Sequence, residues 1–173
     1  MAGVIVRRLA FQASGLNEQV EWAGFGGKGV HQTPGVIRLY GRTVLCKNMR
    51  PLSKAFQPTG LSVFPKYGIE FVSDGMECVS QDHQLSREEA FVHAVALNEL
   101  DNRTLGFCML FLLKNKNLGL KAVERLARYF KCEDTVCRMV GLYKKGAVSE
   151  KNALEIDYWR AVKYEPIQFA TVA

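Results

Sequence analysis

The sequence predicts an α+β fold: a small, mostly antiparallel β-sheet in the N-terminal half, followed by a bundle of about five α-helices. Before residue 75, short apolar segments rich in β-branched residues alternate with Gly, Pro, Asn and Ser, which is typical of strands and turns. From Ser86 onward, apolar residues recur every three or four positions, the period of amphipathic helices. These observations define a β-rich basic region, residues 1–75, and a helical region, residues 76–173. A chain of 173 residues suits one compact domain that contains both.

Two strands are predicted at the start of the chain, in residues 3–13 and 18–26, with the turn-rich residues 14–17 between them. A glycine-rich stretch, residues 24–29, overlaps the end of the second strand. Its lysine, Lys28, is followed by glycine, whereas a P-loop needs Ser or Thr at that position. The pattern favours a hairpin loop over a nucleotide-binding loop, with a basic loop that contacts a partner as a further alternative.

The clearest strand pattern spans residues 36–47. As one strand, it would carry an apolar face and an opposite face with two arginines around Tyr40. The first set is Ile37, Leu39, Thr43 and Leu45, and the second is Arg38, Tyr40 and Arg42. Two guanidinium groups beside an aromatic ring suit a surface that contacts phosphates and stacks a base, and they equally suit a solvent-facing strand that must not pair with another edge.

Lys47 and Arg50 extend this positive charge into a predicted short helix or turn. Residues 61–72 are predicted to form a broken β region with a turn at residues 65–68. Residues 73–84 are polar and acidic, which predicts a loop between the β-rich and helical regions.

Five helices are predicted in the second half. The first begins with a capping box, Ser86-x-x-Glu89. The second is the apolar run Leu105–Leu113, which is shorter than the roughly 20 residues that cross a membrane and is therefore expected to be buried on all sides. The others are predicted in residues 118–131, between the acidic pair 133–134 and the basic pair 144–145, and from Ser149 to the residue before Pro166.

Residues 118–131, LGLKAVERLARYFK, combine an apolar and a basic helical face. The apolar side contains Val123, Leu126, Ala127 and Phe130, and the basic side contains Lys121, Arg125 and Arg128. Both a solvated outer face and a surface that contacts phosphates explain this pattern.

The net charge of +6 arises from two separated regions. Residues 1–75 contain nine Lys or Arg and four Asp or Glu, and residues 101–173 contain thirteen and eight, whereas residues 76–100 are acidic. This distribution predicts a polyanionic partner, either nucleic acid or an anionic membrane.

The five cysteines form an odd set without a repeating spacing, and no secretory signal is recognisable, so reduced thiols and an intracellular location are expected. Cys132 and Cys137 lack zinc-ribbon spacing, and Cys78, His83 and His93 form no known ligand pattern. Hydrolase and metalloprotease motifs are absent from the sequence. We therefore predict no metal, no small-molecule cofactor and no enzymatic activity. Because a Cys–His pair need not be close in sequence, a small cytosolic enzyme remains a third alternative.

The features together favour a non-enzymatic, largely sequence-independent RNA-binding protein that coats or sequesters RNA and self-associates, in the manner of a viral-type nucleoprotein. RNA is favoured over DNA, and the expected location is the cytoplasm, or the virion if the protein is viral. The candidate RNA-binding residues are Arg38, Tyr40, Arg42, Lys47, Arg50, Lys121, Arg125, Arg128 and Lys131, with Tyr40 as the stacking ring.

The main alternative is a structural, matrix or adaptor protein whose basic face meets anionic lipid or a protein partner. The apolar residues 167–173 are expected either to fold back on the core or to dock on a neighbouring subunit of a homo-oligomer.

Overall fold

The computed structural model describes residues 20–22, 35–47, 56–71, 76–80, 83–99 and 101–155. These residues contain five strands, one 3-10 helix and four α-helices. The strands are β1 (Val20–Trp22), β2 (Gly35–Tyr40), β3 (Thr43–Lys47), β4 (Phe56–Pro58) and β5 (Cys78–Ser80), and the 3-10 helix is Gly60–Tyr67. The α-helices are α1 (Arg87–Asn98), α2 (Asn102–Lys114), α3 (Leu120–Tyr129) and α4 (Glu133–Lys144). The predicted α+β class, with the sheet first and the helices after it, is confirmed.

The five strands form one antiparallel sheet in the order β1-β2-β3-β5-β4. Strand β5 lies between β3 and β4, and its central residue, Val79, pairs with Leu45 on one side and with Gln57 on the other. The prediction of a loop across residues 73–84 is therefore wrong for β5. Three residues among polar neighbours are too few to show the alternation that identifies a strand.

Residues 36–47 form a hairpin rather than one long strand. A two-residue turn, Gly41-Arg42, connects β2 to β3, and Gly41 has a φ of +57°. Two-residue hairpin turns favour positive φ, which glycine adopts without a steric penalty.

This turn changes which residues share a face of the sheet. Because Tyr40 pairs directly with Thr43, residues on either side of the turn exchange faces, and Arg38 lies on the same side as its partner Leu45. The predicted separation of an arginine face from the face with Thr43 and Leu45 is therefore wrong.

Residues 61–72 were expected to be β structure, but most of them belong to the 3-10 helix. Its buried residues include Leu61, Val63 and Phe64, a spacing that also fits a strand followed by a turn. Packing against α1 favours the helical form. The short helix or turn expected before Pro58 is replaced at its end by β4, an edge strand in which proline is tolerated.

The first four predicted α-helices are confirmed. Ser86 caps α1 through the predicted box: its Oγ accepts a hydrogen bond from the Glu89 backbone N–H at 3.1 Å, and Glu89 Oε2 accepts one from the Ser86 N–H at 2.9 Å. Asp101 caps α2, where the sequence predicts an interruption: its Oδ1 accepts hydrogen bonds from the backbone N–H groups of Arg103 and Thr104. Of the fifth predicted helix, the structure describes residues 149–155, and within them residues 150–154 form turns rather than an α-helix.

Helix α1 lies at the centre of the fold. It contacts the 3-10 helix, the other three α-helices and β3, and every residue from Ala90 to Asn98 is buried. Complete burial was predicted instead for the apolar run Leu105–Leu113 of α2. That prediction is wrong, because Phe107, Leu110 and Leu113 are only half-buried.

One hydrophobic core joins the sheet to the helices. Tyr40, Leu45 and Val79 face this core from the sheet, and the 3-10 helix and all four α-helices contribute to it. A smaller cluster lies on the opposite face of the sheet and contains Ile37, Val44, Cys46 and Cys78. The β-rich and helical regions therefore share the main core.

Several predictions fall outside the described residues: the strand in residues 3–13, the glycine-rich stretch, Arg50, and the chain from residue 156 onward. The last segment includes the apolar residues 167–173, so both expectations for them, folding back on the core and docking on a neighbouring subunit, stay predictions.

Candidate nucleic-acid interface

The two sides of α3 differ in exposure as predicted. Val123 and Ala127 are completely buried against the rest of the fold. The exposed residues on the opposite side are Lys121, Arg125 and Arg128. These three residues, with the exposed Lys131 just beyond the helix, form a surface that we call the basic face of α3.

The neighbouring acids Glu88 and Glu124 make their close contacts elsewhere and not with the basic face. Glu124, the acid within α3, pairs instead with Lys144 of α4, with 3.7 Å between Oε1 and Nζ. Glu88 of α1 accepts a hydrogen bond from the Gly119 backbone N–H at 2.8 Å. Across the described ranges, no ion pair or hydrogen bond joins a side chain of the basic face to another residue. Its cations are therefore available to an external anion.

The β2–β3 turn packs against the C-terminal end of α3. The Tyr129 hydroxyl donates a hydrogen bond to the Tyr40 backbone carbonyl at 2.7 Å. A Cβ at Gly41 would lie 3.1 Å from the same hydroxyl oxygen, so glycine permits this close approach. Arg42 follows directly and is exposed. One candidate cation from the sheet therefore adjoins the basic face.

Lys131 ends α3 in an unusual backbone conformation. Its φ of +54° is in the left-handed region, where a side chain is disfavoured and glycine is the common choice after a helix. The Cys132 N–H beyond it donates to the Ala127 carbonyl at 3.0 Å, which closes the end of the helix. A cation thus stands where helix termination alone would favour glycine.

The other candidate residues in the sheet face inward. Arg38 donates through Nη1 to the Ala96 carbonyl of α1, and Lys47 donates through Nζ to Asn98 Oδ1. The last turn of α1 contains no basic residue of its own, so these two cations interact with the negative end of its dipole. Neither is free to contact phosphate in this arrangement.

The ring proposed for base stacking, Tyr40, is also enclosed. Only 8% of its surface is exposed, and it packs edge-on against Phe130 with 5.0 Å between ring centroids. We therefore remove Arg38, Tyr40 and Lys47 from the candidate interface, and Arg50 lies outside the described residues.

A second set of polar groups lies between the sheet and α1, and we call it the buried polar seam: the buried Glu77 and Asn98 with the half-buried Lys47. Asn98 links the two charged residues, because its Nδ2 donates to Glu77 Oε1 at 2.7 Å while its Oδ1 accepts from Lys47. The other carboxylate oxygen of Glu77 accepts from the Leu61 backbone N–H at 2.6 Å. The seam therefore joins β3, α1 and the 3-10 helix to the residue that precedes β5.

Burial raises the pKa of Glu77 to about 7, although its hydrogen bonds to Asn98 and Leu61 and the nearby Lys47 act in the opposite direction. Gly60 makes room for this carboxyl group, because a Cβ there would lie 2.1 Å from Glu77 Oε2. Glu77 has 2% of its surface exposed, so the seam holds elements together and offers no access to a substrate.

His93 is a second buried titratable group on α1. Its Nδ1 lies 2.7 Å from Thr59 Oγ1, and its Nε2 has no hydrogen-bond partner among the described residues. Burial lowers the pKa of His93 to about 4, so the ring is neutral near pH 7.

Three of the thiols give no support to an enzyme with a reactive cysteine, and a fourth, Cys78, has a pKa lowered by its hydrogen bond with Cys46 but is completely buried. Burial raises the pKa of Cys132 to about 12 and raises the pKa of Cys108 and Cys137 above the ordinary thiol value. A catalytic cysteine requires the opposite shift. Within the described ranges, no three His, Cys, Asp or Glu residues are grouped so that they could bind a metal ion.

No family model, curated protein or solved structure matches the chain. None of the helices in the described part of the chain has the length and apolar character needed to cross a bilayer.

Sequence reasoning missed one residue at this site, Tyr129. Half of its surface is exposed, and it lies one helical turn after Arg125 and next to Arg128. The helical spacing places Tyr129 about 40° from Arg125 around the helix axis, at the margin of the basic face. That spacing could have identified Tyr129 from the sequence, but the two arginines that alternate around Tyr40 made Tyr40 the more prominent candidate for stacking.

Proposed function

We propose that the protein binds RNA without enzymatic activity and largely independently of base sequence, through the basic face of α3. The observation that carries this proposal is the alignment of Lys121, Arg125 and Arg128, all exposed and without a partner across the described residues. Glu124 would be their natural neutralising partner, but it pairs with Lys144.

The dimensions of the basic face suit a phosphate backbone. A helix rises about 1.5 Å per residue, so Lys121 and Arg128 are about 10 Å apart along the axis of α3. Nucleic-acid phosphates are closely spaced, and a surface of that length can contact more than one of them. Lys131 and Arg42 extend the positive charge beyond the end of the helix.

Phosphate contacts determine affinity and orientation but carry little information about base sequence. Binding should therefore be similar for oligonucleotides of different sequence and should weaken as salt concentration rises. This is the behaviour expected of a protein that coats or sequesters RNA.

The experiment measures binding of a fluorescently labelled RNA by anisotropy at several salt concentrations. Replacing Lys121, Arg125 and Arg128 together with Ala should reduce the slope of log K against log salt by about 2, if each contact contributes roughly 0.7 with a single strand. The control replaces Lys66, Arg103 and Lys151 with Ala, which changes the net charge equally and alters exposed residues on other elements.

Two results would contradict the proposal. One is an equal loss of slope in both triple variants, since that would reflect net charge rather than a site. The other is binding to vesicles that contain phosphatidylserine without any binding to RNA, which would favour the matrix interpretation.

A further inference from the structure

The exposed ring of Tyr129 is the feature of the basic face that phosphate binding alone does not explain. Three large hydrophobic side chains are exposed in the described part of the chain: Met76, Tyr129 and Leu154. Of these, Tyr129 is the aromatic one and the one on α3.

The position of the Tyr129 ring is fixed by contacts at both ends. Its hydroxyl donates to the Tyr40 carbonyl at 2.7 Å. Its ring meets Phe130 edge-on, with 4.9 Å between centroids and an interplanar angle of 87°. Phe130 is held in turn by Tyr40 and by His93, with centroid distances of 5.0 Å and 4.6 Å. A ring held in this way loses little conformational freedom when a ligand packs against it.

Cations lie beside this ring. Arg125 precedes it by one helical turn, Arg128 is its neighbour in sequence, and Arg42 lies in the turn that follows the Tyr40 carbonyl to which its hydroxyl donates. Surfaces that bind single-stranded nucleic acid combine such cations, which contact the backbone, with an aromatic ring on which a base stacks. In a duplex the base faces are stacked on one another and are not accessible to a side chain.

We propose that Tyr129 stacks on an unpaired base, so that the basic face of α3 prefers single-stranded RNA to duplex RNA. This inference rests on the proposed RNA binding and adds the class of RNA that is bound. Because every base has an accessible π face when unpaired, stacking gives strand selectivity without sequence selectivity.

The test compares Tyr129→Leu with Tyr129→Phe. Leu keeps an apolar side chain but removes the π face, whereas Phe keeps the ring and loses the hydrogen bond to Tyr40. Tyr129→Leu should weaken binding to a single-stranded oligouridylate about tenfold and leave binding to a duplex of equal charge unchanged. Tyr129→Phe should stay within about threefold of the parent for the single strand.

A strand with abasic sites supplies a second readout. It carries the same phosphates without bases, so the parent protein should bind it about tenfold more weakly than the ordinary strand, and Tyr129→Leu should bind both strands equally. The slope of log K against log salt should be the same in the parent and in Tyr129→Leu, because no phosphate contact is lost.

The outcomes separate this inference from the proposed function. Equal loss of single-strand and duplex binding in Tyr129→Leu, or equal binding of abasic and ordinary strands by the parent, would overturn stacking and leave phosphate binding intact. No binding of any RNA by the parent protein would overturn the proposed function, and the stacking inference with it. Thermal unfolding of each variant identifies one that fails to fold, and if Tyr129→Leu does so, the comparison of abasic and ordinary strands with the parent protein still tests stacking.

Discussion

The cations of the sheet and those of α3 are the same residue types in opposite settings. Arg38 and Lys47 donate hydrogen bonds to the C-terminal part of α1 and are half-buried. Arg125 and Arg128 are exposed and have no partner within the described ranges. The first pair stabilises the fold, whereas the second pair is available to a ligand.

The difference shows that positive charge counted along a sequence is not the same as positive charge available at a surface. The last turn of α1 contains no base, and the adjacent sheet supplies two. The last turn of α3 contains Arg128, so the negative end of that helix has a cation of its own. The comparison between the two groups of cations can be tested with substitutions whose effects on protein stability and on RNA binding are measured separately.

The largest effect should follow from removing the amide that joins the buried polar seam. Asn98→Ala leaves both Glu77 and Lys47 without their bridging partner in a poorly solvated site. We expect the free energy of unfolding to fall by about 3 to 5 kcal/mol, because two hydrogen bonds to charged groups are lost and each contributes roughly 1.5 to 3 kcal/mol. Urea denaturation measures it.

Asn117→Ala is the control for this substitution, because Asn117 is exposed, and it should change stability by less than about 0.5 kcal/mol. A loss below about 1 kcal/mol in Asn98→Ala would mean that water replaces the amide and that the seam contributes little to stability.

A second effect concerns pH. The raised pKa of Glu77, about 7 in the folded protein against 4.5 ordinarily, stabilises the fold fully below pH 4.5, and this stabilisation is lost as the pH rises through 7. The lowered pKa of His93, about 4 against 6.5, acts oppositely: its contribution is present above pH 6.5 and is lost as the pH falls through 4. Between pH 4.5 and 6.5 the two slopes oppose each other.

In Glu77→Gln, the contribution of His93 to the pH dependence of the free energy of unfolding should therefore no longer be opposed. Relative to the parent, the variant should gain stability with rising pH, by up to about 3 kcal/mol between pH 4.5 and 7. Urea unfolding at a series of pH values measures this difference. The exposed Glu150→Gln is the charge-matched control and should parallel the parent. A parallel profile for Glu77→Gln as well would show that Glu77 ionises in the folded protein as freely as in the unfolded chain.

A matched pair of substitutions tests the comparison most directly. Lys47→Met and Arg125→Met each remove one positive charge and keep an unbranched apolar stem. Lys47→Met should cost about 2 kcal/mol of stability, because its charged hydrogen bond to Asn98 is lost, and should leave the salt dependence of RNA binding unchanged. Arg125→Met should change stability by less than about 0.5 kcal/mol and reduce the salt slope by about 0.7.

The reverse pattern, with loss of binding in Lys47→Met and loss of stability in Arg125→Met, would show that the roles of the two groups have been exchanged. Equal effects on both quantities would mean that the cations act only through net charge.

The smallest expected effect is a gain in stability. Lys131→Gly removes a side chain from a left-handed residue, which should raise the free energy of unfolding by about 0.5 to 1 kcal/mol while weakening RNA binding by one phosphate contact. Lys131→Ala removes the same charge but keeps the strained conformation, so it should weaken binding without the gain. If both variants are equally stable, the backbone at residue 131 is not strained.

The sequence predicts those elements whose signals are local. The capping box at Ser86, the break at Asp101 and the two faces of α3 each depend on residues within about one or two helical turns, and all three are observed. Partners distant in sequence determine the remainder. Whether Arg38 is exposed to solvent depends on α1, because its hydrogen-bond partner there, the Ala96 carbonyl, is 58 residues away in sequence.

The hairpin turn shows how a small local feature can redirect a larger prediction. One glycine with positive φ divides residues 36–47 into two strands and moves Thr43 and Leu45 to the face of Arg38 and Tyr40. Hydrophobic periodicity did not reveal the turn, because the alternation of apolar and polar residues in 36–47 fits a single strand equally well. Tyr129 became a candidate only when the structure placed it beside that turn.

The position of β5 has a consequence for synthesis on the ribosome. Strands β3 and β4 leave the ribosome before residues 78–80, which separate them in the finished sheet. Until β5 arrives, one edge of β3 exposes unpaired backbone groups, and an edge of that kind can pair with another chain. Helix α1, which covers the inner face of the sheet, follows within about twenty residues of β5. The interval between the synthesis of β3 and that of β5 is therefore the time at which nascent chains are most exposed to aggregation, and slow translation between residues 47 and 78 should lengthen it.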